Sequence, residues 1–222
     1  MKSYFITSTG TNVGKTYLTK LIINRCKELK LSINAIKPII SGFDINNYQD
    51  SDTGIIIRAL NKNNNIYKIS PWRFKTPVSP DSAAKIENKY IDFLKLREFC
   101  EKEIKQNILN DSYLLIEGVG GTMVPINDQY TILDLIKFLN IPIILVIGSY
   151  LGSISHTLNV LENIKNNDIK LDSIVISQSN KDDVGENLTI NSLSNHIEDI
   201  PIYFLDRNEN NKNHIIDQIL KL

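Results

Sequence analysis

Ser8-Thr9-Gly10-Thr11-Asn12-Val13-Gly14-Lys15-Thr16 follows a short apolar run, Tyr4-Phe5-Ile6. It precedes Leu18, Leu21, Ile22 and Leu29, which fall on one stripe at helical spacing. A strand therefore turns into a helix across two glycines, a lysine and a threonine. Such a turn builds a phosphate cradle. The first backbone N–H groups of a helix have no intrahelical acceptor and point at an anion. Glycine lets that backbone approach without a Cβ in the way. Lys15 supplies a mobile cation for terminal phosphates, and the Thr16 hydroxyl suits a Mg²⁺ ion. The strict pattern G-x-x-x-x-G-K-[ST] places its first glycine at position 9; Thr9 stands there and Gly10 follows, so the loop is a variant. The expectation is a nucleoside-triphosphate site.

The chain has 222 residues, 42% hydrophobic and 23% charged, which suits one soluble domain spanning 1–222. A chain of this length buries roughly 70% of its unfolded surface and needs no disulfide or metal staple. Lys+Arg and Asp+Glu are both 25, so no overall field favours nucleic acid or an anionic membrane. Cys26 and Cys100 belong to no C-x-x-C or metal-spaced cluster and are expected as reduced thiols. His156, His196 and His214 are far apart in the sequence. No charged-then-apolar leader opens the chain, and no apolar run approaches the ~18 residues of a membrane span. A cytoplasmic protein is expected.

Outward from the loop, strand and helix patterns alternate. Ile33–Ile40 is expected as a strand, followed by a polar loop and a helix through Ile55, Ile56 and Leu60, which Asp52 could cap. Residues 61–65 break that helix. Phe93–Leu109 reads as a helix, Tyr113–Ile116 as a buried strand, and Thr131–Leu139 as a helix. Ile141–Ile147 is the clearest buried strand. A helix over Ser153–Asn166, a strand over Leu171–Ser177, a helix over Leu188–His196, a strand over Ile200–Leu205 and a helix over Ile215–Leu220 complete the pattern. The polar run Asn208–Asn213 is expected as a mobile connection. This alternation predicts an α/β fold, a mostly parallel sheet flanked by helices in three layers, like P-loop nucleoside triphosphatases. Ligands of such sheets bind at the carboxyl ends of the strands.

Three further residues carry chemistry. Glu117 ends the apolar run 114–116 and opens Gly118-Val119-Gly120-Gly121, which puts a carboxylate near the phosphate loop. Asp52, at a helix start, is either a second Mg²⁺ ligand or a simple cap. Lys37 interrupts an apolar strand pattern. On a central strand it reaches the nucleotide cleft as a second cation beside Lys15; otherwise it snorkels to the surface.

Together these residues resemble the dethiobiotin synthetase family, over most of the chain. Its phosphate loop is similar to residues 8–16. Lys37-Pro38-Ile39-Ile40-Ser41-Gly42 resembles its K-P-x-x-[ST]-G element, and Ser51-Asp52 its S-D. The stretch from Pro71 to Pro80, with Ala83-Ala84 after it, resembles P-x-x-F-x-x-P-x-S-P; Glu117–Gly121 resembles E-G-A-G-G; Leu151–His156 resembles L-G-x-I-N-H. The resemblance implies an ATP- and Mg²⁺-dependent ring closure of 7,8-diaminononanoate with CO₂ to dethiobiotin, in biotin biosynthesis, through a carbamate and a carbamic–phosphoric anhydride. It implies Lys37, Lys15 and Thr11 as catalytic groups. Nucleotide contacts fall on Asn12, Val13, Gly14, Lys15, Thr16, Tyr17, Glu117, Gly118, Val119 and Gly120, and Mg²⁺ on Thr16, Asp52 and Glu117. Ser41 and Thr11 fall where the family binds the diamine or its carbamate. Gly152, Ser153, Ile154 and Ser155 fall where it binds the substrate carboxylate, across the interface of a homodimer.

Ser8 stands where the family usually has Gly, Asn12 where an acid is common, and Ser155 where Asn is usual. Ser177-Gln178 replaces the adenine-reading Asn, which leaves the base preference open. The competing reading is a partitioning- or iron-protein-type ATPase switch acting on a protein or membrane partner. That class carries an extra lysine early in its loop, where this chain has Gly10.

Overall fold

The computed structural model describes residues 2–61, 65–179, 185–197, 199–207 and 212–222. The expected mobile connection 208–213 lies mostly outside them. In chain order the elements are β1 (Ser3–Ser8), α1 (Lys15–Glu28), β2 (Ile33–Ile36), β3 (Ile39–Ile40), α2 (Asp52–Leu60), α3 (Ile66–Ile69), β4 (Trp72–Arg73), α4 (Pro80–Ile86), α5 (Phe93–Leu109), β5 (Tyr113–Glu117), α6 (Ile132–Leu139), β6 (Ile143–Gly148), α7 (Ser153–Asn166), β7 (Leu171–Ser177), α8 (Glu186–Ser194), β8 (Ile202–Leu205) and α9 (Asn213–Leu220).

Six strands form one sheet in the order β2-β5-β1-β6-β7-β8, and every pairing is parallel. Successive side chains of a strand point to opposite faces, and both faces are apolar. On one face Tyr4, Ile6, Leu115 and Ile144 pack with Leu18, Ile22, Ile56 and Ile216 of α1, α2 and α9. On the other, Phe5, Leu114, Ile143 and Leu145 pack with Leu96, Leu135 and Ile136 of α5 and α6. A strand buried on both faces has no reason to alternate polar and apolar, which explains the runs Ile143–Ile147 and Tyr113–Ile116. The chain leaves β1 toward β2 on one side, returns through β5, then crosses β1 to reach β6. That reversal opens a crevice beyond the carboxyl end of β1, the region where ligands of open parallel sheets bind.

The expected strand over Ile33–Ile40 is two strands. The Lys37 N–H turns away from the sheet to donate to the Ile69 carbonyl, and Pro38 has no N–H to give. The chain then pairs Ile39 and Ile40 with Trp72 and Arg73 in a separate two-stranded sheet. β2 is an edge strand, not a central one. Asp52 does not cap α2; the Ser51 side chain does, accepting from the Gly54 N–H at 3.2 Å. Three short elements, α3, β4 and α4, gave no periodic signal because each spans seven residues or fewer. Phe93–Leu109, Ser153–Asn166 and Leu171–Ser177 fall where the sequence places them, and the other expected helices and strands from Tyr113 onward shift by no more than two residues at either end.

Candidate active site

Gly14 caps α1 with a φ of 107°, a left-handed backbone. A Cβ there would meet Ser177 Oγ at 2.4 Å, so the turn needs glycine on two counts. Asn12 also adopts positive φ, 61°, a conformation that asparagine tolerates better than most side chains. No side chain of the described residues caps this end, and no acid sits in the first turn. Its N–H groups and the helix dipole are left to an incoming anion.

Two buried lysines flank that end, with their pKa values shifted in opposite directions. Lys15, 6% exposed, donates to Ser8 Oγ, Gly120 O and Gly10 O at 2.7, 2.9 and 3.1 Å. Burial, and then the Lys37 cation, press its pKa down to about 8. Phosphate beside it would raise that value again. Lys37 is 3% exposed and lies 2.8 Å from Glu117 Oε1 and 3.0 Å from Asp52 Oδ2. Burial works against its charge, but the two carboxylates outweigh it and push the ammonium up to about 12. The residue just past an edge strand is thus a buried lysine, because the neighbouring β5 ends in the carboxylate that pairs with it. Lys37 does not snorkel.

Glu117 is fully buried at the end of β5. It accepts from Thr16 Oγ1 and Thr19 Oγ1 at 2.6 Å each, besides Lys37. Asp52, the first residue of α2, keeps its side chain 44% exposed. Burial raises its pKa, yet Lys37, then Thr16 and Lys15, hold the carboxyl below the usual range. Because Ser51 takes the capping bond, the Asp52 carboxylate is available to the cleft. Among the described residues no cluster of three His, Cys, Asp or Glu could hold a metal by itself. A hydroxyl and two carboxylates fit Mg²⁺, which takes one or two carboxylates and completes its shell with phosphates and water.

These groups line a cleft of about 670 Å³, within the range of ligand pockets. It brings together Thr11, Asn12, Gly14, Lys15, Thr16, Tyr17, Lys37, Ser41, Asp52, Val119 and Gly120 of the residues singled out in the sequence. Glu117 does not itself line the cleft, but its Oε1 meets two groups that do, Thr16 Oγ1 and Lys37 Nζ; the Gly118 carbonyl accepts from Lys37 at 3.3 Å. Val13 points into the core. Gly152, Ser153, Ile154 and Ser155 do not line the cleft of their own chain. They begin α7, with Gly152 at a φ of 94° and Ser153 fully buried.

Sequence reasoning passed over Thr19, and it quoted Ser8 and the wall residues Pro77, Val78, Ser79 and Pro80 for the resemblance without giving them a part in the site. Thr19 was findable: it lies three residues beyond Thr16, on the same helix face. Gln178 accepts from the Arg207 N–H at 2.9 Å through Oε1.

A family model described as an AAA domain matches residues 2–203. Among solved structures, the MinC:MinD complex of Aquifex aeolicus aligns with a TM-score of 0.56 at 16% identity, covering 99% of this chain and 86% of that one. A ParA family ATPase from Chlorobium tepidum aligns at 0.53 and 14%, covering 99% and 90%. These two share the fold. Closer in sequence is the ATP-dependent dethiobiotin synthetase BioD of Acidiphilium cryptum, 36% identical over 201 residues, 89% of each chain. Proteins of the same name from Caulobacter vibrioides and from Legionella pneumophila strain Paris are 38% and 36% identical over 180 and 193 residues. They cover 81% and 87% of this chain, and 81% and 88% of their own. With motif, cleft and relatives in agreement, the chain belongs to the dethiobiotin synthetase family.

Proposed function

We propose that this chain, as one domain, is an ATP-dependent cyclo-ligase that closes 7,8-diaminononanoate and CO₂ into dethiobiotin in biotin biosynthesis. One amine of the diamine captures CO₂ and loses a proton, giving a carbamate. A carbamate oxygen takes the γ-phosphoryl group of ATP, and ADP leaves. The second amine attacks the carbonyl of the mixed anhydride; phosphate departs, a proton is lost and the cyclic urea remains.

The difficult approach is that of one anion to another. A carbamate and a triphosphate repel unless fixed cations offset the charge and hold them in line. Lys15 serves the terminal phosphates from the loop. Lys37 serves the carbamate and the transferring phosphoryl group from the opposite wall. Thr11 and Ser41 position the diamine between them; the buried Ser41 hydroxyl has no partner among the described residues and lines the cleft. Mg²⁺, held by Thr16, Asp52 and Glu117, would supply further positive charge at the phosphates. The N–H groups of Asn12, Val13, Gly14 and Tyr17 and the segment Gly118–Gly120 frame the nucleotide. Gly152–Ser155 begin a helix whose dipole suits the substrate carboxylate. Since they lie off their own chain's cleft, they serve a partner protomer's site in a homodimer. The ligands are small molecules in the cytoplasm, with no nucleic acid or membrane.

The observation that carries this reading is a lysine buried between two carboxylates at the mouth of a phosphate loop. A switch ATPase needs no second fixed cation facing an organic substrate. Lys37→Ala is expected to lower kcat by about two to three orders of magnitude, while calorimetry still detects nucleotide binding. Unchanged turnover would remove Lys37 from the mechanism.

A further inference from the structure

Lys15 touches three oxygens at once: Ser8 Oγ at 2.7 Å, Gly120 O at 2.9 Å and Gly10 O at 3.1 Å. An ammonium has three N–H donors, so none is left for a phosphate. Ser8, fully buried at the end of β1, is the nearest of the three partners. Its hydroxyl lies 2.6 Å from Gly10 O and 2.9 Å from Gly120 O. One hydroxyl proton serves one of those carbonyls, and an oxygen lone pair accepts from Lys15. Ser8 therefore sits where the phosphate loop, the glycine turn after Glu117 and the Lys15 cation meet. The two carbonyls are backbone and stay with any side chain at position 8; the hydroxyl is the only one of the three acceptors that this sequence chose.

We propose that Ser8 is a positioning residue that holds Lys15 back on the loop's own oxygens, so that a triphosphate must displace this hydroxyl to gain the ammonium. This rests on the nucleotide reading of the cleft. Ser8 then sets how tightly the nucleotide binds without touching the transferred group. Removing the hydroxyl leaves Lys15 with two carbonyls and one N–H free to face the cleft that it lines. The cost of binding falls, because less must be broken first. The same removal weakens the protein without nucleotide, since a buried charge loses a partner.

The two effects have opposite signs, and that separates positioning from mere structure. Ser8→Ala and, in parallel, Ser8→Gly are compared with the wild type by calorimetry with ATP, thermal unfolding without nucleotide, and steady-state turnover. Expected is ATP binding about three- to tenfold tighter, on the scale of the net contribution of one ordinary hydrogen bond. KM for ATP should fall by the same factor without a matching rise in kcat, and Tm without nucleotide should drop. Ser8→Gly serves if the alanine variant does not fold. Affinity that is unchanged or weaker in the folded variants overturns the role given to Ser8 and leaves the proposed function standing. A wild type that binds no triphosphate overturns both.

Discussion

Glu117 spends both carboxylate oxygens inside the protein, on Thr16, Thr19 and Lys37. A buried carboxylate is tolerable only while its lone pairs are taken and its charge is matched. Thr19→Val, which keeps the shape and removes the hydroxyl, should cost about 1–3 kcal/mol because Oε2 loses its donor. Denaturant titration measures it, and a variant as stable as the wild type would mean that Oε2 finds another partner. Lys15, Thr16, Lys37 and Glu117 were legible in the sequence because each stands at a strand end or in a glycine turn. Ser8 and Thr19 were not: a hydroxyl becomes informative only once folding shows which charge it faces.

At the scale of the element, the start of α2 is set by backbone crowding. A Cβ on Gly54 would lie 2.2 Å from Tyr48 O and 2.5 Å from Gln49 O. Alanine normally gains up to about 1 kcal/mol over glycine inside a helix. Here Gly54→Ala should destabilise instead, and it should also lower turnover, because relieving the clash moves Asp52 two residues away. A variant that melts higher, with full activity, would contradict that. Thr76, which leads into the cleft wall at 77–80, is tied by Glu87, which accepts from the Thr76 N–H and hydroxyl and pairs with Lys89. Lys89, then the Thr76 N–H, hold the Glu87 carboxyl down to about 2 from an ordinary 4.5. A depressed acid stabilises the fold above the higher value and loses that contribution as pH falls toward the lower. Wild-type stability should therefore fall more steeply than that of Glu87→Gln between pH 4.5 and 2, in denaturant titrations at stepped pH. Parallel curves would remove Glu87 from the clamp. Long periodic elements such as Phe93–Leu109 were legible. The break after Ile36 was hidden, since Lys37-Pro38 reads as a flaw in one strand until Ile69 is seen to take the Lys37 N–H.

At the scale of the molecule, the alternation of apolar runs and helical stripes implies a parallel sheet between two helical layers, and that is what forms. The order β2-β5-β1-β6-β7-β8 was not legible, because local periodicity says which segments are strands, not which neighbours they take. The order nevertheless decides the chemistry: it sets β5 between β1 and β2, so Glu117 meets both the phosphate loop and Lys37. Gly152–Ser155 lie off the cleft of their own chain, so the proposed carboxylate site calls for a second copy. Sedimentation should give a dimer of the 25.3 kDa chain, and a monomer with full activity would contradict the shared site. The most direct measurement incubates the protein with 7,8-diaminononanoate, bicarbonate, Mg²⁺ and ATP, then follows phosphate and, by mass spectrometry, dethiobiotin. One phosphate per dethiobiotin, both absent without the diamine, is the predicted result; phosphate released at the same rate without diamine, and no dethiobiotin, would contradict it.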